Sequence, residues 1–167
     1  HVEVKDIRHY FATMLKQNIN FVETLYAQVW IINPVYMQLF HYLFEMRDVI
    51  SGCNPIATIH CIQGIAHQKY KQMLQSSPAR ATDIEKYGYD RKSFHHLIRC
   101  IFFGQRYIEG INYQECLQNN ELPGMRRVIM NMKTPETIWD KETAIILAEG
   151  MLDSFDQLVT NYLKAAD

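Results

Sequence analysis

The chain has 167 residues and a formal net charge of -1, and 48% of its residues are hydrophobic while 21% are charged. This length and composition predict one folded domain and argue against disorder. The near-neutral charge gives no overall attraction to nucleic acid or to anionic lipid, and no apolar run approaches the ~20 residues of a membrane-spanning helix. We therefore predict no membrane partner.

The first part of the chain is predicted to hold a strand remnant and three helices. Residues 2–4 alternate like the end of a strand, and from Asp6 onward apolar residues recur at helical spacing. A second helix begins at Phe21 and stops at residues 33–34, because the residue before a proline avoids the helical conformation. A third helix begins near Met37 and ends before residues 51–52.

The middle of the chain carries two longer helical patterns. One runs from about Pro55 to Leu74, and a proline suits the first turn of a helix. The polar, proline-containing stretch at 75–86 is predicted to be a loop. A further helix covers about 90–109, and Gly110 is its expected stop.

The last part of the chain is also mostly helical in pattern. We predict a short helix at 113–118 and a long one that starts at 134–136 and continues to the end. The run at 127–132 fits a strand or a helix equally well. The fold class is therefore mainly α: a single, helical bundle-like domain over residues 1–167, with a short strand remnant at the N-terminus.

The four cysteines show no C-x-x-C pair and no recognisable pairing pattern. They are Cys53, Cys61, Cys100 and Cys116. Reduced, buried thiols in a cytoplasmic protein explain them best. A zinc site using Cys53, His60 and Cys61 is the alternative, but its spacing matches no common ligand pattern.

The helix at 90–109 has a basic stripe, formed by Lys92, His96, Arg99 and Arg106. At 100° per residue these side chains lie opposite an apolar face centred on Ile101. No carboxylate stands three or four residues away to neutralise them before the end of the helix. A solvated basic face and a phosphate-binding site both explain this pattern, since arginine, lysine and histidine all donate to phosphate oxygens.

Three segments, taken together, resemble one family. The stretch KSFHHLIR matches a K-x-x-x-H-x-x-R-L helix at Lys92, His96 and Arg99, and GIAHQKYKQML resembles a G-Y-A-x-x-Q-L-K-K-L helix. The stretch KQNINFVETL resembles a K-G-N-P-N-x-x-E-L-L segment, with Gln17 in place of the glycine and Ile19 in place of the proline. The order and spacing over about 2–110 are similar to those of predicted nucleotidyltransferases of the DNA polymerase β superfamily, of the RNA-repair-associated type.

The resemblance implies an enzyme that transfers a nucleoside monophosphate from a nucleoside triphosphate, with Mg²⁺ as cofactor and an RNA end or a protein as possible acceptor. The family's Gly-Ser turn and paired aspartates have no match in this sequence, and would precede His1. The chain lacks an initiating Met, so we expect it to be the C-terminal portion of a longer enzyme or to follow a removed tag. Glu3, or less well Asp6, would stand for the family's third acidic, metal-binding and catalytic residue.

The nucleotide-binding residues that the resemblance implies are Lys16, Asn18, Asn20, Lys92, His96 and Arg99. Several have a purely structural alternative. Asn20 and Glu23 fit a helix capping box, and Asn18 fits a turn. Tyr10 and Tyr26 would be stacking surfaces, or else ordinary core residues.

Two other functions stay open. Arg91 and His96 fit the loose R-x4–6-H pattern of HEPN-type helical ribonucleases, which need no metal, but the two side chains lie about 140° apart on an ideal helix. A non-catalytic interaction module that oligomerises or binds a partner protein is the other. The chain has 8 Met and 10 Tyr residues, which suit an adaptable interface or a packed core.

Overall fold

The architecture, taken from a computed structural model, is described for residues 6–28, 31–118 and 139–166. Helices account for nearly all of its regular structure, and no strand occurs among these residues. The prediction of a mainly α, helical bundle-like fold is confirmed. The α-helices are α1 (Ile7–Leu15), α2 (Ile19–Val22), α3 (Met37–Glu45), α4 (Arg47–Gly52), α5 (Pro55–Leu74), α6 (Ala81–Tyr87), α7 (Arg91–Ile108), α8 (Tyr113–Leu117) and α9 (Lys141–Ala166), with 3₁₀ turns at Glu23–Tyr26 and Pro34–Tyr36.

Side-chain caps define where the main helices begin. Asp6 accepts hydrogen bonds from the backbone N–H groups of the first turn of α1, and Asn54 does the same for α5. At the start of α7 the Asp90 carboxylate accepts from the backbone N–H of Ser93 at 3.2 Å. Beyond the end of α7, Gly110 has a φ of 83°, a left-handed conformation that favours glycine and ends the helix.

Three long helices, α5, α7 and α9, pack together to form the centre of the fold. They come close together at Gly104 of α7, where an added Cβ atom would clash with the Phe155 ring and lie 3.0 Å from Cγ2 of Ile62. A glycine at this position therefore lets the three helices meet. The fully buried apolar side chains around this contact include Ile59, Ile62, Ala66, Leu97, Ile98, Ile101, Ala144, Ala148 and Phe155.

The structure differs from the sequence prediction in four elements. The helix predicted to run from 134–136 to the end instead begins at Lys141, because residues 139 and 140 are not helical. The second helix is short: α2 passes into the 3₁₀ turn that ends at Tyr26. The third is two helices, α3 and α4, and Ser51 and Gly52 lie inside α4 rather than beyond it. The stretch at 75–86 is only partly a loop, because α6 begins at Ala81. The other three errors concern short elements, whose boundaries tertiary contacts decide.

Several predictions fall on residues outside the described ranges. These are the strand remnant at 2–4 with Glu3, the run at 127–132 and the helix start at 134–136. Among the described helices, none combines the length and apolar character needed to cross a membrane.

Candidate functional site

Gln17 determines the conformation of the turn between α1 and α2. This residue has a backbone φ of 57°, in the left-handed region that residues other than glycine and asparagine rarely adopt. Its side chain is fully buried: Nε2 donates to the carbonyl of Ile50 at 2.9 Å, and Oε1 accepts from the Thr58 hydroxyl at 3.1 Å. These bonds attach the turn to α4 and α5 and fix where α2 starts.

Asn18 and Asn20 have different positions within this turn. Asn18 is the N-cap of α2, and its Oδ1 accepts from the backbone N–H of Asn20 at 3.1 Å. Asn20 lies within the helix with its side chain exposed. The capping-box interpretation of Asn20 and Glu23 is therefore wrong, because the cap is two residues earlier.

The face of α7 that carries His96 and Arg99 is partly covered by other elements of the fold. Phe103 follows His96 by seven residues, so both lie on the same face, and Phe103 is buried against Tyr113 with ring centroids 5.0 Å apart. The tyrosine belongs to α8. This face of α7 therefore meets α2 and α8 and forms one wall of a cavity.

We call this cavity the Arg99 pocket; its volume is about 120 Å³. It brings together three of the residues that the sequence nominates for nucleotide binding: Asn20 from α2, and His96 and Arg99 from α7. The full lining is Ile19, Asn20, Glu23, His96, Arg99, Cys100, Phe103, Tyr113 and Leu117.

One acidic side chain, Glu23, shares the pocket with these donors. Loss of water around its carboxyl group raises the pKa of Glu23, and the positive charge of Arg99 opposes that rise. The carboxylate thus offsets part of the Arg99 charge when it is ionised. Protonation of Glu23 would make the pocket more positive and add a hydrogen-bond donor.

The thiols near the pocket are not activated. Burial raises the pKa of Cys100 to about 11, and burial also raises the pKa of Cys61. Both therefore stay protonated at neutral pH. All four cysteines are free, but the prediction that they are buried holds fully only for Cys116 and is wrong for Cys53, which is exposed.

Tyr113 lines one side of the pocket, and its ring stacks on that of Tyr26. The rings of Tyr26 and Tyr113 lie 5.3 Å apart with an interplanar angle of 18°. The Tyr113 hydroxyl donates to the carbonyl of Ile19 at 3.2 Å, which ties α8 to α2. Tyr113 had no signal in the sequence, because its role depends on a long-range contact. Tyr10, the other tyrosine considered for stacking, instead packs on Phe21.

The remaining nominated residues lie elsewhere. Lys16 and Lys92 are exposed and do not line the Arg99 pocket. Asn18 supports the pocket only through the start of α2. Arg106, at the far end of the basic stripe, buries its Nη1 atom, which donates no hydrogen bond to any described residue.

Arg91 is held away from His96. Its guanidinium makes a forked ion pair with Asp83, at 3.1 Å and 3.3 Å, and lies 4.1 Å from the ring centroid of Tyr87. Because α7 is a continuous α-helix here, the structure does not bring Arg91 and His96 to one pocket.

The described residues offer no ligand set for a metal ion. No group of three or more His, Cys, Asp or Glu side chains among them could hold one, so neither the zinc alternative nor a Mg²⁺ site finds its ligands in these ranges. Glu3, nominated for Mg²⁺, lies outside them.

Comparison with known proteins gives no relative. No protein-family model, curated protein sequence or solved structure matches this chain.

Proposed function

We propose that this chain is the nucleotide-binding helical portion of a polymerase-β-like nucleotidyltransferase, and that the Arg99 pocket binds a phosphate group of the nucleoside triphosphate. One observation carries the proposal. Asn20 and the pair of His96 and Arg99 come from motifs more than 70 residues apart in sequence, and they line the same cavity.

The chemistry of the lining suits a phosphate. The planar guanidinium of Arg99 presents two parallel donors to phosphate oxygens, and His96 adds a donor that strengthens on protonation. The amide of Asn20 contributes one further donor. Fixed donors of this kind stabilise the negative charge that develops on a leaving pyrophosphate.

The residues outside the pocket have supporting roles in this proposal. Asn18 fixes the backbone that presents Asn20. Lys16 and Lys92 are exposed cations that add attraction for a polyphosphate.

The backbone at Gln17 supports the resemblance on which the proposal draws. In the family segment K-G-N-P-N a glycine stands at this position, and here the position has a positive φ. Glycine adopts a positive φ readily because it has no Cβ atom, which would explain a glycine at this position of the family segment. The turn thus has the geometry that the motif's glycine would require.

No step of the proposal is routed through Mg²⁺, and no group of three or more His, Cys, Asp or Glu side chains among the described residues could hold it. The cofactor, and an RNA end or a protein as acceptor, remain predictions from the resemblance alone.

The test is a thermal-shift titration of this chain with ATP, GTP, CTP, UTP and inorganic tripolyphosphate. We expect each to raise the melting temperature of the parent, because a ligand that binds only the folded state stabilises it. Arg99→Gln should remove most of that rise. The matched control is Arg8→Gln, which deletes an arginine that is 91% exposed in α1.

A rise that Arg99→Gln retains in full, or no rise with any of the five compounds, would contradict the proposal. The control variant distinguishes loss of the pocket arginine from loss of one positive charge, since Arg8→Gln makes the same change in net charge away from the pocket lining.

A further inference from the structure

The Arg99 pocket is too small for a whole nucleotide. Its 120 Å³ is well below the roughly 300–1,000 Å³ of pockets that enclose drug-sized ligands. If the proposed function holds, the base of the nucleotide must therefore lie outside this pocket.

A second cavity, of about 410 Å³, lies across the stacked tyrosines. Tyr113 lines the Arg99 pocket and Tyr26 lines this one, and the two rings are in contact at 5.3 Å. We call it the Arg47 pocket. Its lining is Tyr26, Ala27, Gln28, Phe40, His41, Phe44, Arg47 and Gln114.

The walls of the Arg47 pocket are flat and cationic. The guanidinium of Arg47 lies 4.2 Å from the ring centroid of Phe44 and 5.4 Å from that of Tyr26. Phe40 continues the aromatic surface, with its ring 6.2 Å from that of Phe44. Aromatic and guanidinium planes together are the surfaces on which heteroaromatic rings stack.

The rim of the same pocket is polar. Gln28 and Gln114 each carry an amide with both donors and an acceptor, and His41 adds an imidazole. All three are exposed. Groups of this type form hydrogen bonds with the edge of a base whose faces are stacked, as proteins do when they bind unpaired bases.

The Tyr26 ring, which faces the Arg47 guanidinium in this pocket, is held in place before any ligand binds. The Tyr26 hydroxyl bonds to Oδ1 of Asp48 at 2.8 Å and to Oγ of Ser51 at 2.8 Å, both in α4. A surface that is already ordered loses less conformational entropy on binding. This anchoring favours a ligand site over a loose apolar patch.

We propose that the Arg47 pocket binds the nucleobase of the nucleotide whose phosphate occupies the Arg99 pocket, with Arg47 and Phe44 as its stacking surfaces. The inference rests on the proposed function for the phosphate but is separately testable, because nucleosides carry the base without a phosphate and tripolyphosphate carries phosphates without a base.

The experiment is isothermal titration calorimetry with ATP, inorganic tripolyphosphate and the nucleosides adenosine, guanosine, cytidine and uridine. The proteins are the parent, Arg47→Ala, Phe44→Leu and Arg99→Gln. We expect Arg47→Ala to weaken nucleoside and ATP binding about tenfold, in line with the loss of one stacking surface, and to leave tripolyphosphate binding unchanged. Arg99→Gln should weaken the binding of tripolyphosphate and leave the binding of nucleosides unchanged.

Phe44→Leu keeps an apolar side chain but removes the aromatic plane, so it tests stacking even if Arg47→Ala does not fold. The base site is overturned if no nucleoside binds the parent. It is also overturned if nucleosides and ATP bind Phe44→Leu as tightly as the parent. Failure of the proposed phosphate site has a different signature: nucleosides bind, whereas tripolyphosphate does not.

Discussion

Helices α7 and α3 both have apolar residues at helical spacing, but they differ in how far the fold buries them. In α7 eight residues are buried, whereas none of the nine residues of α3 is buried. The long helices α5 and α9 cover α7, while the main neighbours of α3 among the described residues are short elements: α4 and the two 3₁₀ turns. Helical spacing therefore predicts a helix and its apolar face, but not whether another element covers that face.

The contrast also separates stability from recognition. The buried face of α7 contributes most of the packing, and its opposite face lines the Arg99 pocket. The apolar side chains of α3 that remain uncovered include Leu39, which is 50% exposed, and Tyr42, which is 61% exposed. Their neighbours Phe40 and Phe44 line the Arg47 pocket.

The largest expected effect is at the centre of the fold. Phe155 is fully buried against α5 and α7, so Phe155→Ala should lower the free energy of unfolding by about 3–5 kcal/mol. Leu39→Ala in α3 should change it by no more than about 0.5 kcal/mol. Urea denaturation followed by circular dichroism measures both. Equal losses would mean that α3 is covered after all.

A smaller effect is expected from the glycines. Gly104→Ala places a methyl group against the Phe155 ring and should cost about 1–3 kcal/mol. Gly150→Ala in α9 meets no atom within 4 Å and should stabilise the chain by about 0.5–1 kcal/mol, because alanine favours helix. Opposite signs in the same urea assay would confirm the close approach of the three helices, and a stabilising Gly104→Ala would refute it.

The smallest effect concerns Glu23, which lines the Arg99 pocket beside α7. Its pKa is raised, so the folded chain holds that proton more tightly than the unfolded chain, and ionisation weakens folding as the pH rises from about 4.5. Glu23→Gln should therefore stabilise the fold at pH 7, by less than about 1 kcal/mol because water screens the pocket mouth, and not at pH 4.

Melting curves of parent and Glu23→Gln between pH 4 and pH 8 measure this difference. A gain that is larger at pH 4 than at pH 7 would show that the attraction of Arg99 outweighs the loss of water at Glu23.

The sequence predicted the long elements better than the short ones. The helix at Pro55–Leu74 was predicted with its observed ends, because a proline marks its start; the cap at Asn54 was found only in the structure. Phe103 was the missed signal for the pocket: an aromatic side chain on the basic face of α7 indicates that protein covers it. Glu23 and Tyr113 could not have been assigned, since their roles arise from contacts between distant segments.

Gln17 limits which substitutions this turn can accept. Glycine would relieve the left-handed backbone, which costs other residues roughly 1–2 kcal/mol, but it has no side chain to reach Ile50 and Thr58. Asparagine tolerates the backbone and is one methylene too short. In a library randomised at position 17, survivors should therefore be few. A glycine there should recur together with a second change that supplies a donor to the Ile50 carbonyl, since the Thr58 hydroxyl can still donate to the carbonyl of Asn54.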